Sequence, residues 1–85
     1  MSKKEKLKES LLKNPSKYKW SDLILVMKHC GFNMIKAKGG GSGRKFYNPI
    51  TGKAAAWHEP HPGNEVTKYV IAEAIALIKE QDNEK

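Results

Sequence analysis

The sequence contains a single cysteine, and its longest uninterrupted apolar stretches are only five residues long. A lone cysteine excludes an internal disulfide, and it also excludes the zinc ribbons and redox motifs that need a pair of cysteines. Apolar runs of this length fall far short of the roughly 20 residues that a membrane-spanning helix needs. The lysine-rich first residues lack the continuous apolar segment of a secretory signal. We therefore expect a cytoplasmic protein with no membrane partner.

Acidic residues are also few. The chain has 9 Asp and Glu against 16 Lys and Arg, which gives a formal net charge of +7. Residues 1–20 hold seven lysines and two glutamates, residues 21–59 hold six basic and two acidic side chains, and residues 60–85 hold three lysines and five acids. A basic first two-thirds favours a polyanionic partner, with nucleic acid as the leading candidate. The plainer interpretation is that the lysines only keep a small protein soluble.

The length of 85 residues leaves room for one small domain. A domain of this size buries only about 60 to 65% of the surface that its unfolded chain exposes, so we do not expect a deep, closed active site. With 39% hydrophobic and 29% charged residues, the composition is typical of a folded protein and too apolar for a disordered one.

Apolar residues recur at helical spacing in three segments, which are residues 3–13, residues 21–30 and the stretch from residue 67 onward. The first pattern is short and predicts a weak helix. The second is the strongest, and Gly31 directly after it suits the left-handed conformation that ends many helices. We therefore predict three helices, two of them before and one after the middle of the chain.

The middle of the chain has the pattern of strands. Residues 32–38, 44–47 and 53–58 are rich in residues that favour extended structure, and the first two are separated by a run of glycines. Between the last two, Pro49 fixes the second residue of a tight turn and Gly52 can take a positive φ at its end. Pro60, Pro62 and Gly63 then predict an irregular segment before the last helix.

These elements predict an α+β fold with the order α-α-β-β-β-α. Three consecutive strands joined by short turns form an antiparallel sheet, and helices before and after it can cover one face, which leaves the other face open. Small double-stranded-RNA-binding domains have this architecture, although a shared fold does not fix a function.

The glycine run is a candidate phosphate-binding loop. Glycines beside Ser42, Gly43, Arg44 and Lys45 can bring backbone N–H groups and cations to a phosphate, and Lys53 adds charge nearby. The alternative is a plain mobile turn. Neighbouring aromatic residues, among them Trp57, could stack on bases, although strand alternation should bury some of them.

Four short motifs carry a resemblance to a known family. They are WSDL at 20–23, CGF at 30–32, GSGRKF at 41–46 and, most distinctive, HEPHPGNE at 58–65. Together they resemble the HicA toxins of bacterial toxin–antitoxin modules, in the same order over residues 20–79. The resemblance predicts a HicA-like domain at 20–81, a basic helical extension at 1–19 and a disordered tail at 82–85.

The resemblance implies a double-stranded-RNA-binding-like fold and cleavage of messenger RNA without a metal ion or another cofactor. It also implies a HicB-like antitoxin as the partner. One position departs from the family pattern, because the histidine assigned to catalysis directly follows the Gly-Ser pair, and Gly43 stands there in this chain. RNA binding is expected to survive this change better than cleavage.

Metal-independent RNA cleavage needs a base, an acid and a cation at the phosphate. Histidine suits the first two roles near neutral pH, so His58 and His61 are the candidate catalytic residues. We favour His61, because Pro60 and Pro62 hold its backbone in place. The plainer interpretation is that both are exposed loop residues. Their spacing is one residue short of a zinc-protease motif and includes a proline, so we predict no metal site.

Three functions therefore remain open from the sequence. The first is a messenger-RNA endoribonuclease toxin with a shifted active site. The second is a HicA-like protein that has lost cleavage but still binds RNA or an antitoxin. The third is a basic protein-interaction module with no nucleic-acid partner.

Overall fold

The computed structural model describes residues 3–36, 43–60 and 63–83, with side chains as far as residue 81. In these ranges the elements are α1 (Lys3–Leu12), β1 (Tyr18–Lys19), α2 (Trp20–His29), β2 (Asn33–Lys36), β3 (Gly43–Tyr47), β4 (Ala54–His58), β5 (Glu65–Val66) and α3 (Lys68–Asn83). The prediction of an α+β fold with three helices and a three-stranded antiparallel sheet is confirmed.

Two strands of two residues each were not predicted from the sequence. β1 and β5 pair with each other in antiparallel fashion, with Tyr18 opposite Val66. The Trp20 amide extends this pairing by donating to the Asn64 carbonyl over 2.7 Å. The segment before α3, predicted to be irregular, therefore ends in a short strand, β5. The prediction is wrong there because β1, far away in the sequence, supplies the backbone hydrogen-bond partners, which the local sequence cannot reveal.

The main sheet has the strand order β2-β3-β4, and both pairings are antiparallel. Because successive side chains point to opposite faces, the register divides these strands into two rows. Met34, Phe46 and Ala55 lie side by side on the inner face of the sheet. Trp57, two residues after Ala55 on β4, lies on the same face. We call the opposite side the outer face; it consists of Asn33, Ile35, Gly43, Lys45, Tyr47, Ala54, Ala56 and His58.

One core joins the inner face of the sheet to all three helices. Its fully buried side chains include Leu11, Leu23, Val26, Met27, Phe46, Ile71, Ala74 and Ile78. The Phe46 ring lies between Trp57, at 5.3 Å, and Trp20, at 5.8 Å between centroids. The helices thus cover one face of the sheet and leave the outer face exposed, as the strand pattern predicted.

Residues 3–19 share this core. Leu11 of α1 is fully buried, and the Tyr18 hydroxyl donates to the Leu7 carbonyl over 2.7 Å. The segment that the resemblance sets apart as an extension therefore packs against the rest of the domain. At the other end α3 continues to Asn83, two residues past the expected end of the domain, while residues 84–85 lie outside the described ranges.

The end of α2 has the geometry that its glycine predicted. Gly31 has a φ of +94°, and its amide donates to the Lys28 carbonyl while the Phe32 amide donates to the Met27 carbonyl. This pair of bonds is the Schellman motif, and the side chains of Phe32 and Met27, at the two positions that usually pack together in this motif, are both buried. The motif turns the chain directly from α2 into β2.

The turn between β3 and β4 is built around Asn48. The Gly52 amide donates to the Asn48 carbonyl over 2.8 Å, and the Asn48 amide donates to the Lys53 carbonyl over 2.9 Å. Gly52 has a φ of +78°, as expected from its position after the proline. The predicted tight hairpin is therefore confirmed. None of the described helices is long and apolar enough to cross a bilayer.

Alanine at position 31 should destabilise the fold more than alanine at position 52. Both glycines have positive φ, so a side chain costs about 1–2 kcal/mol at either site. At Gly31 the new Cβ would also lie 3.2 Å from Nδ2 of Asn48, whereas at Gly52 it would meet nothing within 4 Å. We expect Gly31→Ala to lose about 1 kcal/mol more than Gly52→Ala in urea unfolding. Equal losses of unfolding free energy in the two variants would show that the contact with Asn48 adds nothing to the cost at position 31.

The Tyr18 hydroxyl should make stability depend on pH in the alkaline range. Burial raises the pKa of Tyr18 above its ordinary value, so the folded chain holds this proton more tightly than the unfolded chain. Its contribution is complete below about pH 10 and is lost as the pH rises through the folded-state pKa. Tyr18→Phe should cost about 1 kcal/mol at neutral pH, and the difference from wild type should shrink above pH 10.

The measurement for Tyr18 is urea unfolding at pH 7 and at several values up to pH 11. Tyr47→Phe, a change on the exposed outer face, serves as the control and should follow wild type at every pH. A gap between wild type and Tyr18→Phe that stays constant across this range would contradict the assignment.

Candidate nucleic-acid interface

The outer face of the sheet combines one cation, one histidine and several apolar side chains. In its middle row Lys45 lies between Ile35 and Ala56, and all three are exposed. Ile35 keeps 50% of its surface and Tyr47 38%. A cation surrounded by exposed apolar groups suits a partner that is both anionic and rich in flat rings, as a nucleic acid is.

His58 lies at the end of β4, directly opposite Gly43. Side chains in such a pair have Cβ atoms about 4.5–5.5 Å apart. Gly43 contributes no side chain to this pair, and the His58 side chain is exposed. Gly43 stands where the resemblance expects a histidine, and His58 is a candidate to replace that histidine. The two residues are therefore direct cross-strand neighbours.

A cavity of about 470 Å³ opens at this end of the sheet, and we call it the sheet cavity. Its lining includes residues Lys36, Gly43, Arg44, Lys45 and His58, and of these strand alternation directs only the Lys45 and His58 side chains to the outer face. The cavity therefore offers a phosphate one exposed cation, Lys45, beside the His58 imidazole.

The three cations predicted to bind phosphate have different positions. Lys45 is exposed on the outer face. Arg44 points to the inner side, where it is 14% exposed, pairs with Glu59 at 3.7 Å and donates to the Gly43 carbonyl at 2.9 Å. Lys53 lies beyond the far end of β4 and forms an ion pair with Glu80 of α3. Of the three, Lys45 is the one that the fold presents to a ligand on the outer face.

Two other predicted site residues, Ser42 and His61, lie outside the described residues. The remaining histidine, His29, is exposed at the last position of α2, as expected for a surface residue. No three His, Cys, Asp or Glu side chains among the described residues converge closely enough to hold a metal ion.

The aromatic residues divide between core and surface. Phe46 is fully buried and Trp57 is 3% exposed, so both belong to the core and neither can stack on a base. Tyr69, in the first turn of α3, is 70% exposed, and the interaction of its hydroxyl with Glu73 raises the pKa of Tyr69. Sequence reasoning missed Tyr69, although its place just outside the apolar stripe of the helix was a usable signal.

A second and larger cavity, of about 790 Å³, lies between the end of β4 and the start of α3, and we call it the helix groove. It shares Ala56, Trp57 and His58 with the sheet cavity. Tyr69 lines its helix side. His58 therefore stands where the two cavities adjoin.

Comparison of the chain with protein-family models, with curated proteins and with solved structures gives no match. The function proposed below rests on the geometry described above and on the sequence motifs.

Lys45 should contribute to RNA binding, and Lys53 should not. Lys45→Ala removes the exposed cation of the outer face, so we expect weaker binding to any RNA duplex and a salt dependence, log K against log salt, that is shallower by about 1. Lys53→Ala removes an equal charge from an existing ion pair and should change both quantities far less. Fluorescence anisotropy at 50 to 200 mM salt measures both. Equal effects of the two variants would show that only net charge matters.

Proposed function

We propose that this protein is a HicA-like toxin of a bacterial toxin–antitoxin module that binds messenger RNA on its outer face and cleaves it without a metal ion. The sequence motifs support the family, and the open outer face of the sheet with its exposed Lys45 supports RNA as the partner. We assign the sheet, with α2 and α3 on its inner face, to the double-stranded-RNA-binding-like architecture, to which α1 and the β1–β5 pair are additions.

The single observation that carries the catalytic part is the pairing of Gly43 with His58. In a HicA protein the strand position that Gly43 occupies supplies the histidine. Side chains directly opposite each other on one sheet face reach the same volume, so an imidazole on β4 can serve a phosphate that one on β3 would serve. In this proposal the catalytic histidine lies on β4 instead of β3, and the catalytic site keeps its place on the outer face.

The proposed chemistry is an attack within the RNA. His58 takes the proton of a ribose 2′-hydroxyl, the 2′-oxygen bonds to the adjacent phosphorus, and the 5′-oxygen of the next nucleotide leaves. The products are a 2′,3′-cyclic phosphate and a 5′-hydroxyl, whose proton comes from a second acid. His61 is the sequence candidate for that acid. Lys45 offsets the negative charge that builds on the phosphate oxygens.

The same face is where we place the antitoxin. A HicB-like partner that covers Lys45 and the exposed Ile35 and Tyr47 would exclude RNA, and acidic groups on it would match the charge of this face. RNA and antitoxin are then competitors for one surface.

A second candidate is a HicA-like protein that binds RNA or antitoxin but no longer cleaves. The absence of a side chain at Gly43 favours it. The two candidates share the binding surface and differ only in whether His58 acts as a base.

Single-turnover cleavage of an unstructured RNA in the presence of chelator separates them. For an active nuclease, His58→Ala should slow cleavage by about 10²- to 10⁴-fold, the usual contribution of a positioned base, and leave RNA affinity nearly unchanged. His29→Ala, which removes an exposed histidine from the end of α2, is the matched control and should cleave at the wild-type rate.

Two results would overturn the catalytic assignment. Full activity in His58→Ala would remove this residue from the mechanism. Binding without cleavage by wild type would identify the silent relative, in which case Gly43→His is expected to restore weak cleavage because it returns an imidazole to the outer face.

A further inference from the structure

The two cavities that adjoin at His58 differ in charge. The sheet cavity has the exposed cation Lys45 in its lining, whereas Arg44 is already paired with Glu59. The helix groove has Glu65 in its lining besides the paired Glu59, and the described residues contribute no lysine or arginine to its lining. A phosphate is therefore attracted to the first cavity and repelled from the second.

The rest of the helix groove is apolar and includes an exposed aromatic ring. Val66 and Val70 are buried at its base, and Tyr69 at its rim keeps 70% of its surface. Exposed tyrosine rings beside apolar surface are what nucleobases stack on.

One carboxylate of the groove is better placed for a ligand than the other. Glu59 is engaged with Arg44 at 3.7 Å. Glu65 is exposed on β5, with Lys19 as its cross-strand neighbour. A carboxylate accepts hydrogen bonds from the amino and imino N–H groups of a base, and it cannot accept one from an unprotonated phosphate.

From this contrast we propose that the helix groove is a nucleobase subsite. The phosphate of a bound RNA lies in the sheet cavity, and the base of an adjoining nucleotide lies in the helix groove, stacked on Tyr69 with its N–H groups directed to Glu65. This assignment rests on the proposed function, because it takes the outer face beside His58 as the RNA-binding surface. It makes an unpaired strand the preferred ligand, since a base held in a duplex cannot enter the groove.

The test compares affinity for a short single-stranded RNA with affinity for an abasic oligomer of the same length and charge. Fluorescence anisotropy in chelator gives the ratio of the two affinities. Tyr69→Ala should lower this ratio by about 5- to 100-fold, the range for loss of one stacked base. Tyr69→Phe keeps the ring and should stay near the wild-type ratio.

Two controls keep the readout specific. Lys45→Ala should weaken binding of both oligomers and leave the ratio unchanged, because phosphates are common to both. Ile50→Ala removes a side chain that is 90% exposed on the β3–β4 turn and should change neither affinity.

Glu65→Gln, which alters a rim residue without removing the ring, should lower the ratio in the same direction as Tyr69→Ala.

The outcomes separate this inference from the function beneath it. RNA binding that depends on Lys45 but has the same ratio in wild type, Tyr69→Ala and Glu65→Gln would overturn the subsite and leave the proposed function standing. If wild type binds neither oligomer at 50 mM salt, the proposed function fails and the subsite with it.

Discussion

Among the described residues, Asn48 is the polar residue that is buried in the core. Its side chain forms hydrogen bonds with three parts of the chain. Its Oδ1 accepts the amide of Ile50 at 2.9 Å and that of Thr51 at 3.3 Å, which closes the turn between β3 and β4. Its Nδ2 donates to Oε1 of Gln81 in α3 at 2.8 Å. Because the residue is 2% exposed, a lost partner would leave a buried polar group unsatisfied at a cost of about 1–3 kcal/mol.

The same group of bonds fastens the sheet to the helices. Nε2 of Gln81 donates to the Cys30 carbonyl at 2.7 Å, and Asn48 approaches that carbonyl at 3.4 Å. The carbonyl belongs to the residue that caps α2, where no further helical bond is available to it. The ends of α2 and α3 and the hairpin turn are thus held at one point.

This point determines what happens at the other end of the hairpin. Tyr47 pairs with Ala54 beside the turn, and four residues further along the same register pairs Gly43 with His58. A slip of one residue would move His58 to the inner face, because side chains alternate along a strand. The position of His58, the candidate base, therefore depends on the buried side-chain amide of Asn48 at the opposite end of the sheet.

Much of the fold could be predicted from local patterns. Apolar spacing located the helices, and Gly31 and Gly52 marked the two places where the chain needs a positive φ. What could not be predicted depends on distant partners. β1 and β5 are too short to have a pattern of their own, and the leucines of α1 gave only a weak helical signal although Leu11 is fully buried in the domain core.

Arg44 illustrates the same limit within the candidate site. In the sequence it stands beside Lys45 and looks equivalent to it as a phosphate ligand. Strand alternation sends the two side chains to opposite faces, and Arg44 there meets Glu59, the first residue after β4. An ion pair with a half-exposed partner adds little stability, but this one joins the start of β3 to the end of β4. The cation that the sequence assigned to RNA is therefore placed to hold Gly43 and His58 side by side, and Lys45 is left to face the ligand.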